Sequence, residues 1–420
     1  MKKLLAVLLT ALMLLSLVSA FAEEQITLQL WSIATESDSS HQAYVDAIAA
    51  FEADHPNIKI EHNATENEAY KTKIKAAMSS GEDLPDLFFT WGMGFLGEFV
   101  NAGRVVCLDE SYPAYEAELP KAMTTNVTYD GKMYGVPYTM SLVTLYANMD
   151  ILAEVGFDHI PATFEEMMEC CDKLVAAGQI PFGVSGKELW CLSEYVEPLV
   201  IKSVGGENLK AMYNGEKSWN DEGVIAAIAA FQDMKNKGYF DPSADALGND
   251  EVKNNFIAGK YAFYQNGSWN NADIGSQAQF AVKAGTFPVL NPDVTLYQMI
   301  GGPNNTLAVT ETSEHKAEAI EAAYYLAKFF SDADYKSGAN LPCWAADPNA
   351  EVSDLVKSAA DMAAKAESMV LFGDNFLSAD AANTYLDYIA QIYIRQKGFE
   401  GMKLSSEVNH KTTEFIIGFI

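Results

Sequence analysis

Between Ile26 and Ile60 the apolar residues change period twice, and this switch constrains the fold more than any other feature. Ile26-Thr27-Leu28-Gln29-Leu30-Trp31 alternates at period two, as a half-buried strand does. After a polar loop from Thr35 to Ser40, Tyr44, Ile48 and Phe51 recur at helical spacing until His55-Pro56 stops the helix. Ile58-Lys59-Ile60-Glu61 then resumes the alternation, which completes a β-α-β unit. The pattern repeats with a helix over Tyr70 to Met78, a stop at Ser80-Gly81, and the short apolar strand Asp86-Leu87-Phe88-Phe89. Such alternation predicts an α/β fold: a parallel sheet covered by helices, with ligands held beyond the carboxyl ends of its strands.

Punctuation continues along the chain. Thr163-Phe164-Glu165-Glu166 is a capping box opening a helix with Phe164, Met167, Met168, Cys171, Leu174 and Val175 on one face, closed by Gly178. Asp221 opens another, with Val224, Ile225, Ile228 and Phe231 inward and Gly238 as its stop; Ser313 caps a third. Tyr261-Ala262-Phe263-Tyr264 reads as a strand. A length of 420 residues suggests two or three domains. Repeats and a long Pro/Gly/Ser linker are both missing, so two lobes that exchange strands fit better than independent domains.

The first 22 residues read as a cleaved secretory signal: Lys2 and Lys3, an apolar run from Leu4 to Val18, and Ala20-Phe21-Ala22 before a cut at Glu23. The run is shorter than the roughly 20 residues that cross a bilayer. No Cys follows it, which argues against a lipoprotein and for a periplasmic or secreted protein. The intact chain has 28 basic and 57 acidic residues, a net charge of −29; losing Lys2 and Lys3 deepens this to −31. A surface so negative disfavours nucleic acid and anionic membranes. Cys107, Cys170, Cys171, Cys191 and Cys343 are odd in number and lack metal spacing. Cys171 reads as a buried thiol, and a bridge from the Cys170-Cys171 pair to Cys191 stays open.

Catalytic signatures are thin. The six His are scattered without ligand spacing, so no metal is expected, and neither is a cofactor. Gly183-Val184-Ser185-Gly186 lacks the closing glycine of a nucleophile elbow, because Lys187 follows. Gly92-Met93-Gly94-Phe95-Leu96-Gly97 matches the dinucleotide fingerprint but does not follow the first strand of the sheet; its glycines better suit a tight turn beside a ligand or a helix start. Tyr324-Tyr325 sits mid-helix with Tyr324 on the apolar face, which favours packing over ferric ligation. Asp241, Asp245 and Asp250 lack calcium-loop spacing and read as a solvated acidic loop.

The tryptophans are more informative. Trp31, Trp91, Trp190, Trp269 and Trp344 lie at strand ends or in loops, where a flat ring can receive the C–H face of a sugar while nearby Asn, Asp and Glu match hydroxyls. Trp219, beside a helix start, reads as structural.

In order and spacing, several segments make the chain resemble the bacterial extracellular solute-binding proteins of the carbohydrate type, which include maltose-binding protein. They are Ala49-Ala50-Phe51-Glu52 through Ile60, Leu84-Pro85-Asp86-Leu87-Phe88, Gly131-Lys132-Met133-Tyr134-Gly135-Val136-Pro137-Tyr138, Gly259-Lys260-Tyr261-Ala262-Phe263 leading to Gly267-Ser268-Trp269, and Gly301-Gly302. The resemblance implies a two-lobed periplasmic-binding-protein type II fold, each lobe a mixed sheet flanked by helices, joined by a hinge of crossing segments. It places the signal at 1–22, the N-terminal lobe at 23–139 plus 288–335, and the C-terminal lobe at 140–287 plus 336–420. Crossings are expected near Tyr138 to Leu142, Thr286 to Pro288 and Asp334 to Leu341. Ligand contacts are expected from Trp269 above all, with Trp91, Trp190, Trp31, Tyr138, Glu36, Asn67, Gly301, Asp374 and Trp344. The implied function is capture of a sugar or oligosaccharide for the permease subunits of an ABC importer by a monomeric, non-enzymatic protein. Alternatives are the same fold serving a cationic solute or a sensory receptor, and an exported glycosidase.

Overall fold

The computed structural model describes residues 25–394; residues 1–24, on which the expected secretory signal falls, and the last 26 residues lie outside it. The first lobe begins with β1 (Ile26–Ser32), α1 (His41–Asp54), β2 (Ile58–Ala64), α2 (Asn67–Ser80), β3 (Leu87–Trp91), α3 (Gly94–Asn101) and β4 (Val136–Pro137). The second holds β5 (Thr139–Asn148), α4 (Phe164–Ala176), β6 (Ile180–Gly183), α5 (Leu189–Val204), α6 (Glu222–Asn236), α7 (Asn249–Ile257), β7 (Tyr261–Gly267), β8 (Val282–Gly285) and β9 (Gln298–Pro303). The chain returns to the first lobe for β10 (Asn305–Val309) and α8 (Lys316–Ser337). It then crosses once more, through β11 (Leu341–Pro342), to α9 (Asp354–Lys365), β12 (Ser368–Val370), α10 (Gly373–Phe376) and α11 (Ala379–Ile394).

The alternation at period two becomes the parallel pairing of β1 with β2, from Ile26 opposite Ile58 to Ser32 opposite Ala64, and of β1 with β3. β10 closes this sheet antiparallel to β3 and β4, giving the order β2-β1-β3-β10-β4. Leu28, Leu30, Phe88 and Phe89 are wholly buried, and Tyr44 of α1 stacks on Phe330 of α8 at 4.0 Å. The second sheet has β12, β9, β5, β7 and β6 in that order, with β8 and β11 also paired to β5. β5 is therefore its organising strand, antiparallel to β7, β8, β9 and β11.

Three passages join the lobes. Tyr138 separates β4 in the first sheet from β5 in the second, Asn304 separates β9 from β10, and Asn340 precedes β11, which pairs with β5. The boundary expected at 288 is thus corrected to Asn304. Phe287 packs in the second core, and β9 pairs with β5, Gly301 opposite Leu142. That pairing explains Gly301: its φ is +144°, and an added Cβ would lie 2.2 Å from the Ser141 carbonyl oxygen. Gly301 is a backbone-contact residue, not a ligand contact.

Several local expectations shift by about one residue. In α4, Thr163 accepts from the Glu166 N–H as its cap, but the buried face is Met167, Cys170, Cys171 and Leu174, and Val175 is exposed. In α6, Ile225 points outward. Ser313 does not cap α8; it donates to Asp86 and accepts from the His315 N–H, and the helix starts at Lys316. Asp241 is buried and paired with Lys260 at 2.7 Å, so that part of the acidic loop is not solvated. The glycine-rich turn has no room for a phosphate: a Cβ on Gly92 would meet the Asn126 carbonyl and one on Gly94 the Leu377 carbonyl. The five thiols are unpaired, four of them buried.

Two predictions follow from the crossings. Gly301→Ala lowers unfolding free energy by roughly 2–4 kcal/mol because it adds both strain and a backbone clash. Gly103→Ala, also at positive φ but with nothing within 4 Å, loses only about 1 kcal/mol; urea titration compares them. Asp334, on α8 beside the third crossing, is buried with an unpartnered Oδ2, and burial pushes its carboxyl up to about 7. The folded state therefore holds a proton that the unfolded state has lost, so stability falls as pH rises from about 4 to 7. Asp334→Asn raises the melting temperature at about pH 8 and leaves it nearly unchanged at about pH 4.

Candidate functional site

Because β1, β2 and β3 run parallel, their carboxyl ends open on one edge, and the second lobe faces that edge across a cleft of about 550 Å³. From the first lobe come the loop after β1, the start of α2 and the end of β3; the crossing residues Tyr138, Asn304 and Asn340 form the floor. The second lobe contributes the turn into α5, the start of α7, the residues after β7 and those after β12.

An aromatic group stands on the second-lobe wall. Trp269 follows Gly267, where a Cβ would lie 2.0 Å from the indole, so the glycine lets the ring fold back over the strand end. Trp190 lies 6.1 Å from Trp269 and Phe372 5.8 Å on another side, tilted by 57° and 58°. On the opposite wall Trp91 is held edge-on by Phe89 at 4.8 Å and Phe95 at 5.0 Å, so it presents only part of its ring. Tyr138 is mostly core, its hydroxyl 3.2 Å from that of Tyr44.

Three buried polar atoms among the cleft residues lack a partner: Trp190 Nε1, Glu194 Oε2 and Asn304 Oδ1. Asn304 spends its amide N–H on Asn375 Oδ1 at 3.1 Å, which leaves the oxygen free. Two ion pairs lie along the cleft: Lys253 with Asp273 at 2.7 Å and Lys71 with Glu68 at 2.9 Å. Burial raises the Asp38 carboxyl, against hydrogen bonds from Ser40. Burial raises Asp374 too, although Lys71 opposes it. Burial pushes Glu194 well above the usual carboxylate range, with Glu197 and Asp374 adding to the effect.

Six of the ten residues singled out from sequence line this cleft: Trp269, Trp91, Trp190, Tyr138, Asn67 and Asp374. The other four do not. Trp31 falls on the opposite side of the β1 pleat from Leu28 and Leu30, under Lys73 Nζ at 3.7 Å. Trp344 is core: its indole N–H donates to the Pro137 carbonyl at 3.0 Å, and its ring meets Tyr115 and Tyr324. Gly301 is the strand contact already described. Glu36 points to solvent between the lining residues Thr35 and Ser37. Glu194, Asn304, Asn340 and Phe372 escaped the sequence reading, since a Glu inside an apolar helix and an Asn beside a strand end carry no periodic signal.

Among the described residues no histidine lines the cleft, and Ser185 donates to the Leu247 carbonyl. Among the described residues, no group of His, Cys, Asp or Glu is placed to hold a metal ion, and no helix is long and apolar enough to cross a membrane. Facing walls, a ring cluster and unmatched hydrogen-bonding atoms equip the cleft to enclose a solute.

Comparison with known proteins agrees with that architecture. An uncharacterised ABC transporter extracellular-binding protein of Pyrococcus horikoshii is 26% identical over 73% of this chain and 69% of its own length. A protein solved in work on xylan utilization by the thermophilic bacterium Caldanaerobius polysaccharolyticus superposes with a TM-score of 0.84 at 32% identity, covering 89% of this chain and 96% of its own. A chitin oligosaccharide binding protein shares the fold with a TM-score of 0.81 at 21% identity, over 88% and 94% of the two chains. The bacterial extracellular solute-binding protein family matches residues 34–336, a span that includes the crossings at Tyr138 and Asn304 and strands of both sheets, and the chain belongs to that family.

Proposed function

We propose that the chain is the solute-binding component of an ABC importer, working outside the cytoplasm, and that it closes its two lobes around a neutral sugar or oligosaccharide for delivery to membrane permease subunits. The observation that carries this reading is the pairing of the Trp190, Trp269 and Phe372 rings with unmatched polar atoms on Trp190 and Asn304 in the same cleft. A sugar supplies an apolar C–H face for the rings and hydroxyls that both donate and accept, so one ligand satisfies the Trp190 N–H and the Asn304 oxygen together. Family membership and the relative from xylan utilization support the same solute class.

Closure is a population shift. The open form solvates both walls, and a ligand that touches both favours the closed form by its differential contacts alone. The permease then engages the closed surface, and the ligand leaves chemically unchanged. A cationic solute is less well served beside the ring cluster, because Glu194, the buried acid there, is driven toward its uncharged form.

Titration calorimetry against neutral oligosaccharides, beginning with xylan-derived ones, tests the reading. Saturable binding is expected, with Trp269→Ala weakening it about 10- to 100-fold, or about 1.4–2.8 kcal/mol. Absence of binding to every sugar, or an unchanged affinity in the variant, overturns it.

A further inference from the structure

We propose that Glu194 determines specificity in this cleft: its buried, unpartnered carboxyl takes a ligand hydroxyl beside Trp190 and Trp269, and the acids around it turn away sugars that carry a carboxylate. The inference rests on the sugar-binding reading and adds a substrate class to it, uncharged as opposed to acidic sugars.

Trp190, Glu194 and Glu197 recur at i, i+4 and i+7 on α5, so one face of that helix carries a ring and then two acids. Glu194 is 2% exposed, lines the cleft, and leaves Oε2 without a partner. Its backbone carbonyl accepts from Gln265 Nε2 at 2.9 Å, which ties this turn of α5 to β7. Glu197, one turn deeper, accepts on Oε1 from the Gly373 N–H at 3.0 Å and the Tyr385 hydroxyl at 2.9 Å; its Oε2 also lacks a partner, but Glu197 does not line the cleft. Of the two buried acids, only Glu194 borders the space a ligand fills.

No cation among the described residues pairs with Glu194; Lys71 reaches its neighbour Cys191 only through its field. The titratable groups facing Glu194 are Cys191, Tyr195 and Glu197 on its own helix, Tyr146 on β5, Tyr264 on β7 and Asp374 on α10. Among the described residues none of Glu194, Glu197 and Asp374 forms an ion pair; Lys71 lowers the Asp374 carboxyl only by its field. Three neighbouring carboxyls in so little water do not all ionise: burial and the neighbouring acids hold Glu194 toward its protonated form, and burial with the Asp374 charge pushes Glu197 up to about 8. A protonated Glu194 donates to a hydroxyl oxygen and accepts from a hydroxyl, as a neutral ligand requires. A uronic acid brings a further negative charge into the same desolvated wall.

The pH dependence has a definite sign. Closing the cleft over Glu194 favours its neutral form further, so binding takes up protons, and affinity is full below the free-state pKa and lost as pH rises past it.

The test measures the affinity of the tightest-binding neutral sugar of the panel and of its uronic-acid counterpart, at about pH 6 and about pH 9.5. The wild type should bind the neutral sugar at least about 10-fold more tightly than the acidic one and lose about 10-fold or more with rising pH. Glu194→Gln, an isostere of the neutral acid, keeps the low-pH affinity within about 3-fold and flattens the pH profile, while Glu194→Ala loses about 10-fold at both. Equal affinity for the two sugars, or a Glu194→Gln profile as steep as the wild type, overturns the proposal while leaving sugar capture intact; failure of every sugar to bind overturns both. The wild-type comparisons need no variant to fold.

Discussion

The amino-terminal half of β5 is the contact on which everything else depends. Met140 pairs with Pro303 on one passage of the chain and with Leu341 on another, so all three crossings converge on the same few residues. Side chains reinforce the join: the Asn340 amide oxygen accepts from the hydroxyls of Ser141 at 3.0 Å and Ser268 at 3.3 Å, and Ser268 in turn accepts from the Leu142 N–H. Trp269 follows Ser268, so the best-placed ring of the cleft is built directly onto the hinge. Rotation of the lobes about this join moves the first-lobe wall past a ring that keeps its position relative to the crossings.

Around that join, the two walls solve different physical problems. The first-lobe wall is polar and wet: Glu66 caps α2 by accepting from the Glu68 and Ala69 N–H groups, and Asp38 closes a turn with Ser40. On the second-lobe wall the stretch around α5 is buried, with rings above a pair of buried acids. Placing Glu194 and Glu197 in that interior is costly unless protons or ligand groups compensate, and residues that break the usual rules of burial gather where function needs them. The excess of carboxylates thus has two characters, a solvated exterior and a small neutralised interior.

Much of the architecture was legible because it rests on periodicity. The change from period two to helical spacing located β1, α1 and β2 directly, and Asp86-Leu87-Phe88-Phe89 located β3. What escaped was non-local. Whether Gln298–Pro303 belonged to the first or second lobe depended on a strand pairing some 160 residues away, which no local pattern encodes. The tryptophans show the same limit. Trp269 and Trp190 were identifiable from loop positions, yet Trp344 has the same local look and is core, because the neighbours that bury it, Tyr115 and Tyr324, come from distant segments. Trp31 was expected to touch ligand, although the pleat of β1 turns it away from the side that Leu28 and Leu30 share.

The central claim is that a solute stabilises one arrangement of the lobes about the β5 join. Small-angle scattering on the full chain, without sugar and then saturated with the tightest-binding one, measures this directly. The account predicts a smaller radius of gyration and a shorter maximum dimension in the saturated sample, and a graded shift between two fixed profiles during titration. A profile that stays unchanged while calorimetry reports stoichiometric binding would contradict it.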